Sequence, residues 1–249
     1  MTKVKPYTKL AEIYDALMNH VDYDKWASYL KKLLNYADIR VNTILDLSCG
    51  TGTLLLHMKD GRYHYFGCDL SKAMLKKAAY KLEYFPIPLF INDACNIALQ
   101  DQTFDAVIFL YDSINYILQK DNLLRFLKDV QRILRPGGIL IFDTVSEYHC
   151  KTFYHDTYES EHWGKNGYDR HSLYDEENKI QRTNFKVKIG NRYYLEKHQQ
   201  RIYSTNELVS LLQINNFELV GIFQNFTFNR MQLDAERVHY VCKKSTLSK

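Results

Sequence analysis

Between Ile44 and Met58 the chain reads Ile-Leu-Asp-Leu-Ser-Cys-Gly-Thr-Gly-Thr-Leu-Leu-Leu-His-Met, a short apolar run that breaks at a glycine loop and resumes as an apolar helix. Gly50 and Gly52 remove two side chains at the carboxyl end of a predicted strand, so a ligand can lie against bare backbone where the next helix offers free N–H groups. Asp46 hangs beside the same crevice. Asp69 ends the next predicted strand, 19 residues after Gly50, a spacing that suits a carboxylate accepting both hydroxyls of a ribose. A glycine pair alone carries little weight. Its weight here comes from the strand before it, the helix after it and the acid that follows.

These residues need a scaffold, and the pattern from residue 41 to 143 supplies one. Thr43–Leu47, Tyr63–Cys68, Leu89–Asn92, Phe104–Leu110 and Ile139–Asp143 read as strands. Between them, Met74, Leu75, Ala78, Ala79 and Leu82 recur at helical spacing after Ser71, a good N-cap, as do Leu123, Leu124, Leu127, Val130, Ile133 and Leu134 later. Alternation of this kind predicts parallel strands joined by crossover helices, with ligands at the strands' carboxyl ends. Pro136-Gly137-Gly138 stops the second helix and returns the chain to a strand.

Before this unit, residues 1–40 read as N-terminal helices: Ile13, Leu17, Trp26, Leu30, Leu33 and Leu34 lie on the apolar faces of two helices over Lys9–Ala37. After it, residues 145–203 break the alternation. Tyr168–Tyr174, Lys179–Lys188 and Tyr193–Tyr203 are rich in aromatic and β-branched residues, with turn signals at Asp175-Glu176-Glu177-Asn178 and Gly190-Asn191, and predict an inserted antiparallel appendage. Ser204-Thr205-Asn206-Glu207 is a capping box that opens another helix, followed by strands at Phe217–Phe223 and Arg237–Cys242. The whole is expected to be one α/β domain over residues 1–249, a size that buries an ordinary core.

The net charge is +4, but Lys and Arg are scattered, which argues against a nucleic-acid face. The five cysteines form no Cys-x-x-Cys pair and suit free thiols in a reducing compartment. No apolar leader opens the sequence and no apolar run is long enough to cross a bilayer, so a soluble, cytoplasmic protein is expected, with no membrane partner.

Taken together, the motifs resemble those of the class I S-adenosylmethionine-dependent methyltransferases over residues 9–143 and 204–242. Asp46-Leu-Ser-Cys-Gly50-Thr-Gly52 is similar to the family's glycine loop, with Ser48 where many members carry glycine. Asp69-Leu-Ser-Lys-Ala-Met-Leu75 resembles its ribose-binding acid and helix start, Asn92-Asp93-Ala94 its acidic turn facing the adenine amino group, and Leu134-Arg-Pro-Gly-Gly-Ile-Leu140 the turn before its fifth strand. Leu10-Ala-Glu-Ile-Tyr14-Asp15-Ala-Leu-Met18 and Tyr111-Asp-Ser-Ile-Asn-Tyr116 resemble segments of a bacterial small-molecule subgroup whose first helix folds over the cofactor. The resemblance implies a Rossmann-like seven-stranded sheet of order 3-2-1-4-5-7-6 with an antiparallel last strand, S-adenosyl-L-methionine as cofactor, and residues 145–203 as a substrate lid. It places Tyr14, Asp46, Ser48, Gly50, Gly52, Asp69, Leu70, Asp93, Ala94 and Tyr111 against the cofactor.

Methyl transfer asks a protein mainly to align a nucleophile, exclude water and remove a proton, and positioning alone is worth ~7 to 11 kcal/mol. Asp112, Asn115 and Tyr116 follow the fourth strand and either face the acceptor or cap the next helix; His149, Trp163, Tyr168 and His198 are candidates to line an acceptor pocket. The candidates for a general base are Tyr116, His149 and His198. The Asn/Asp-Pro-Pro-Tyr tetrad of amine-methylating nucleic-acid enzymes is missing, Tyr111-Asp112-Ser113-Ile114 standing in its place, and there is no Pro-Cys nucleophile. Asp143 is followed by Thr144 rather than the Asn of metal-dependent relatives, which implies metal-independent transfer. The expected reaction is methylation of a nitrogen or oxygen of a small molecule by a monomer or homodimer. The rival readings are a non-catalytic cofactor-binding domain that docks a partner, a tRNA or protein methyltransferase, and a nicotinamide-dependent oxidoreductase; the last is disfavoured because the third glycine of its fingerprint falls at His57 or Leu55.

Overall fold

The structure is a computed structural model and describes residues 1–246. The chain opens with a short strand, β1 (Thr2–Val4), then a 3-10 turn (Leu10–Glu12), a one-turn helix α1 (Tyr14–Leu17) and α2 (Tyr23–Tyr36). The alternating unit follows as β2 (Thr43–Asp46), α3 (Thr53–Met58), β3 (His64–Asp69), α4 (Lys72–Lys81), β4 (Leu89–Ile91), β5 (Phe104–Phe109), α5 (Lys120–Ile133) and β6 (Leu134–Val145). Next come α6 (Glu147–Phe153) and four strands, β7 (Asp156–Trp163), β8 (Asn166–Asp175), β9 (Ile180–Ile189) and β10 (Arg192–Arg201). The chain returns through α7 (Thr205–Ile214) to β11 (Phe217–Gln224) and β12 (Arg237–Lys244).

Seven strands form one sheet in the order β11-β12-β6-β5-β2-β3-β4, which is the expected 3-2-1-4-5-7-6 arrangement read from its other edge. β12 runs antiparallel to both neighbours, and the five strands β2 to β6 are parallel. Because side chains alternate across a strand, Ile44, Ala106, Ile108 and Ile141 pack toward α2 and α3, whereas Leu45, Val107, Phe109 and Phe142 pack toward α5 and α7. Both faces are covered, as a parallel sheet requires. The carboxyl ends of β2, β3 and β5 therefore open on one rim, where the glycine loop sits.

Two parts differ from expectation. The periodicity of residues 9–37 predicts two helices; α2 forms, capped by Asp22, but the first is only the 3-10 turn and α1, and neither has a side-chain cap. So short a piece is not stable alone. It is held by side chains instead, as described below. The appendage contains the three expected strands and one more, β7, and β1 joins it by parallel pairing with β10, giving a five-stranded sheet β1-β10-β9-β8-β7. Half of the predicted capping box also changes partner: Ser204 Oγ accepts the Glu207 N–H, but the Glu207 carboxylate takes a hydrogen bond from Arg201.

Candidate functional site

A cavity of about 1290 Å³ opens at the carboxyl ends of the central strands. Its floor is the loop after β2. Gly50 has φ +54, and a Cβ there would meet nothing within 4 Å, so the backbone at this point faces open cavity. The Gly50 N–H donates to Asp69 Oδ2 at 2.9 Å and the Ser71 N–H to Asp69 Oδ1 at 2.8 Å. Each carboxylate oxygen of Asp69 thus has one backbone donor and capacity for another. Gly52 serves differently. It has φ +78, and a Cβ there would stand 2.9 Å from Leu82 and 3.2 Å from Ala78, so its bareness lets α3 approach α4 rather than opening space for a ligand.

Asp46 is buried beneath this loop and accepts the Ser48 N–H at 3.1 Å. Burial, reinforced by the neighbouring Asp69 charge, pushes its carboxyl up to about 7, and burial also raises Asp69. Because the folded protein holds a proton that the unfolded chain releases, the stabilising contribution of Asp46 is full below the ordinary carboxylate range and is lost as pH rises through about 7. Thermal melts of the ligand-free protein should therefore show Tm falling between pH 5 and pH 8 and a flatter profile in Asp46→Asn; identical profiles would remove this account.

The cavity walls are tyrosines. Tyr7, Tyr14, Tyr23, Tyr111 and Tyr116 line it, with Leu70, Asp93 and Ala94 at the opposite end. The Asp93 carboxylate accepts the Cys95 N–H at 2.8 Å, which fixes its turn. Tyr111 and Asp112 follow β5 with φ +55 and +51, two consecutive left-handed residues, and this reversal lays the Tyr111 ring on Trp26 at 4.5 Å between centroids. Such backbone costs ~1–3 kcal/mol per residue and persists only where surroundings enforce it.

The N-terminal segment is tied across the cavity from both sides. Asp15 on α1 accepts from Thr51 Oγ1 at 2.6 Å and Lys81 Nζ at 2.8 Å, and Lys77 pairs with Glu12, so α1 and the 3-10 turn sit on the glycine loop and α4. Ser71 Oγ donates to the Tyr7 carbonyl at 2.8 Å. On the other side, fully buried Glu196 of β10 accepts the backbone N–H groups of Tyr7 and Lys9, both at 2.6 Å, and of Leu10 at 2.9 Å. Glu196 also lies 3.3 Å from His198 Nε2, and His198 Nδ1 is 2.9 Å from the Tyr116 hydroxyl, which in turn meets the Tyr7 hydroxyl at 2.7 Å.

Beside the cavity, Arg237 of β12 bonds both Asp143 and Asp112, and the Asp112 N–H donates to Asp143 at 3.1 Å. Burial opposes the guanidinium charge, but Asp143 and Asp112 more than restore it and raise the affinity of Arg237 for its proton.

A family model described as "Methyltransferase domain" matches residues 44–138, which hold the glycine loop, Asp69 and Asp93. Over 244 residues the chain is 31% identical to YqeM of Bacillus subtilis (strain 168), a protein whose methyltransferase name is itself provisional, covering 96% of this chain and 97% of that one. A crystal structure of a S-adenosylmethionine-dependent methyltransferase from Clostridium acetobutylicum ATCC 824 superposes with a TM-score of 0.81 at 25% identity, over 95% of this chain and 98% of the other. The chain belongs to the class I S-adenosylmethionine-dependent methyltransferases. The methyltransferase shares the fold, at 18% identity and TM-score 0.71, of SAM-bound CalS10, an amino pentose methyltransferase from Micromonospora echinaspora, over 94% and 97% of the two chains. Its cofactor is S-adenosyl-L-methionine, and the nicotinamide reading is set aside.

The residues of this methyltransferase fit the cofactor: Asp69 has spare acceptor capacity toward two hydroxyls, and Gly50 leaves the space a side chain would fill. Of the ten residues expected at the cofactor, Tyr14, Asp46, Ser48, Gly50, Asp69, Leu70, Asp93, Ala94 and Tyr111 line the cavity, whereas Gly52 faces α4. Of the three candidate bases, Tyr116 lines it, His198 stands behind Tyr116, and His149 lies on α6 with its Nδ1 3.6 Å from Glu236 and does not reach it. Asn115 is fully buried and bridges the Arg201 carbonyl and the Val145 N–H, so of the trio after β5 only Tyr116 faces the cavity. Tyr168 is core, packed on Phe185. Sequence reasoning missed Tyr7, Glu196 and Arg237. For Glu196 a signal existed, since a carboxylate in a strand of alternating burial falls on the inward face two residues before His198.

Proposed function

We propose that this methyltransferase moves a methyl group to a nitrogen or oxygen of a small molecule, without a metal, inside the tyrosine-walled cavity. The observation that carries the reading is that the chain's own residues 5–9 and Tyr14 line the cavity opposite the glycine loop, so the acceptor lies among Tyr7, Tyr14, Tyr23, Tyr111 and Tyr116 and a polymer must displace that segment to enter. When bound, the sulfonium cofactor supplies an electrophilic methyl carbon and a sulfur that departs with the electron pair. Asp69 holds ribose hydroxyls, Asp93 and Ala94 flank the base, and the tyrosine rings exclude water and align the nucleophile. Metal-free transfer is supported by Arg237, whose guanidinium already occupies both Asp112 and Asp143, the carboxylates a cation would claim. The fold shared with CalS10 supports the small-molecule class, and the free cysteines support a cytoplasmic setting.

Lys5, Lys9, Lys72 and Lys76 also line the cavity beside the carboxylates Glu12, Asp46, Asp69 and Asp93, and these lysines keep an RNA acceptor as the second reading. Incubation with methyl-labelled cofactor and fractionated cell extract tests both. Label in the low-molecular-weight fraction is expected; label confined to RNA or protein, with none in small molecules, would overturn the small-molecule reading.

A further inference from the structure

We infer that Glu196 is a positioning residue that sets His198 as the proton acceptor behind Tyr116 and, through the same carboxylate, latches the N-terminal segment, so that the proton relay is complete only when the cavity wall is in place. This deepens the proposed methyl transfer and rests on that reading.

Glu196 spends its carboxylate on two tasks. One oxygen takes the Lys9 and Leu10 N–H groups; the other takes the Tyr7 N–H and faces His198 Nε2. Burial works against its charge, yet His198 and the Leu10 and Lys9 N–H groups hold it below the usual carboxylate range, so it stays an acceptor. A carboxylate at Nε2 requires that nitrogen to carry the proton, which leaves Nδ1 bare and able to accept from the Tyr116 hydroxyl. Tyr116 having given its hydrogen to His198, the Tyr7 hydroxyl is the donor in the 2.7 Å contact between the two tyrosines. With the imidazole neutral, this set of hydrogen positions satisfies all four residues, and it points the proton path away from the cavity toward His198.

The path balances. As the acceptor's N–H or O–H proton passes to Tyr116 Oη, the Tyr116 proton passes to His198 Nδ1, and the acceptor keeps the electron pair for its new bond to carbon. One proton has left the acceptor and one has arrived on the imidazole, whose positive charge lies against Glu196. The donated hydrogen bond from Tyr7 offsets charge building on the Tyr116 oxygen.

The latch follows from position. Tyr7 has φ +58, a left-handed conformation that a tyrosine does not adopt unaided, and three contacts enforce it: its N–H on Glu196, its carbonyl under Ser71 Oγ, and its hydroxyl on Tyr116. Ser71 also donates its N–H to Asp69, so the ribose acid, the N-terminal segment and the base are joined in one hydrogen-bonded series. β1 alone, three residues paired with β10, is too short to fix the segment.

The test uses the full chain with S-adenosylhomocysteine. Nitrogen-15 NMR of the wild-type protein is expected to show His198 as the Nε2–H tautomer, with a hydrogen-bonded Nδ1; an Nδ1–H tautomer overturns the relay. In Glu196→Gln the backbone amides of Tyr7, Lys9 and Leu10 should exchange about tenfold faster or more and the tautomer should become mixed. Unchanged exchange and tautomer overturn the latch. Tyr116→Phe, which keeps the ring in place, decides the matter if Glu196→Gln does not fold: the amides should stay protected while the His198 Nδ1 signal moves, and an unmoved signal overturns the proposal. Calorimetry of wild type with S-adenosylhomocysteine is run beside these; absence of binding there counts against the methyltransferase site itself, whereas normal binding with the wrong tautomer counts against the relay alone.

Discussion

Replacing Asp69 with alanine should weaken binding of S-adenosylhomocysteine by about 100-fold or more, measured by isothermal titration. Two ligand hydroxyls donating to one carboxylate make two charge-assisted hydrogen bonds at ~1.5–3 kcal/mol each, and every 1.4 kcal/mol is about tenfold. The variant also strands the Gly50 and Ser71 N–H groups, which both lean on this side chain, so the loop that receives the ligand loses its tie to β3. Asp69→Asn, which keeps an acceptor but not the charge, should fall between alanine and wild type. A dissociation constant within threefold of wild type for the alanine variant would show that the hydroxyls are held elsewhere.

The second large effect concerns stability. Arg237→Met should lower the stability of the fold by about 3–5 kcal/mol, because removing one member of a buried ion cluster leaves the others uncompensated. For a chain of this size that corresponds to a Tm lower by roughly 10 °C. The deficit should depend on pH with a defined sign. Burial already raises the Asp143 carboxyl to about 6 with the guanidinium beside it, and without Arg237 nothing offsets that burial, so the variant regains stability as acid protonates Asp143 and loses it as pH rises. Melts at pH 5 and pH 8 read this directly: a Tm difference from wild type that is equal at both would show that lost packing against Trp26, which Arg237 also overlies, outweighs the charge.

The central sheet was legible because its parallel strands are short apolar runs, and β2, β3 and β4 give way at the rim to Asp46, Asp69 and Asn92. Ser71 capping α4 and Asp69 ending β3 are local signals, and both sit where the spacing put them. The cavity floor was legible for the same reason. Gly50 and Gly52 look alike in sequence, because a glycine that opens space and one that admits a neighbouring helix carry the same signal; only the approach of Leu82 and Ala78 to Gly52 separates them. The wall was less readable. Tyr7 sits outside any periodic segment, in a conformation its residue type disfavours, and Arg237 finds its partners 94 and 125 residues away. Non-local polar clusters leave no period in the chain, so Arg237 emerges only when strands distant in sequence are brought side by side, whereas Glu196 left a local trace, its spacing of two from His198 on one strand.

The parallel pairing of β1 with β10 sets a timetable for the protein's birth. Tyr7 leaves the ribosome 189 residues before the carboxylate that receives it. At ~5–20 residues per second that is a wait of roughly 10–40 s, during which the sheet strands after residue 43 can begin to order while β1 and the Tyr7, Lys9 and Leu10 N–H groups lack their β10 partners. Completion of the cavity wall therefore waits for β10, and a nascent chain stalled before β10 is extruded has the cavity floor without the carboxylate that ties Tyr7, Lys9 and Leu10 across it.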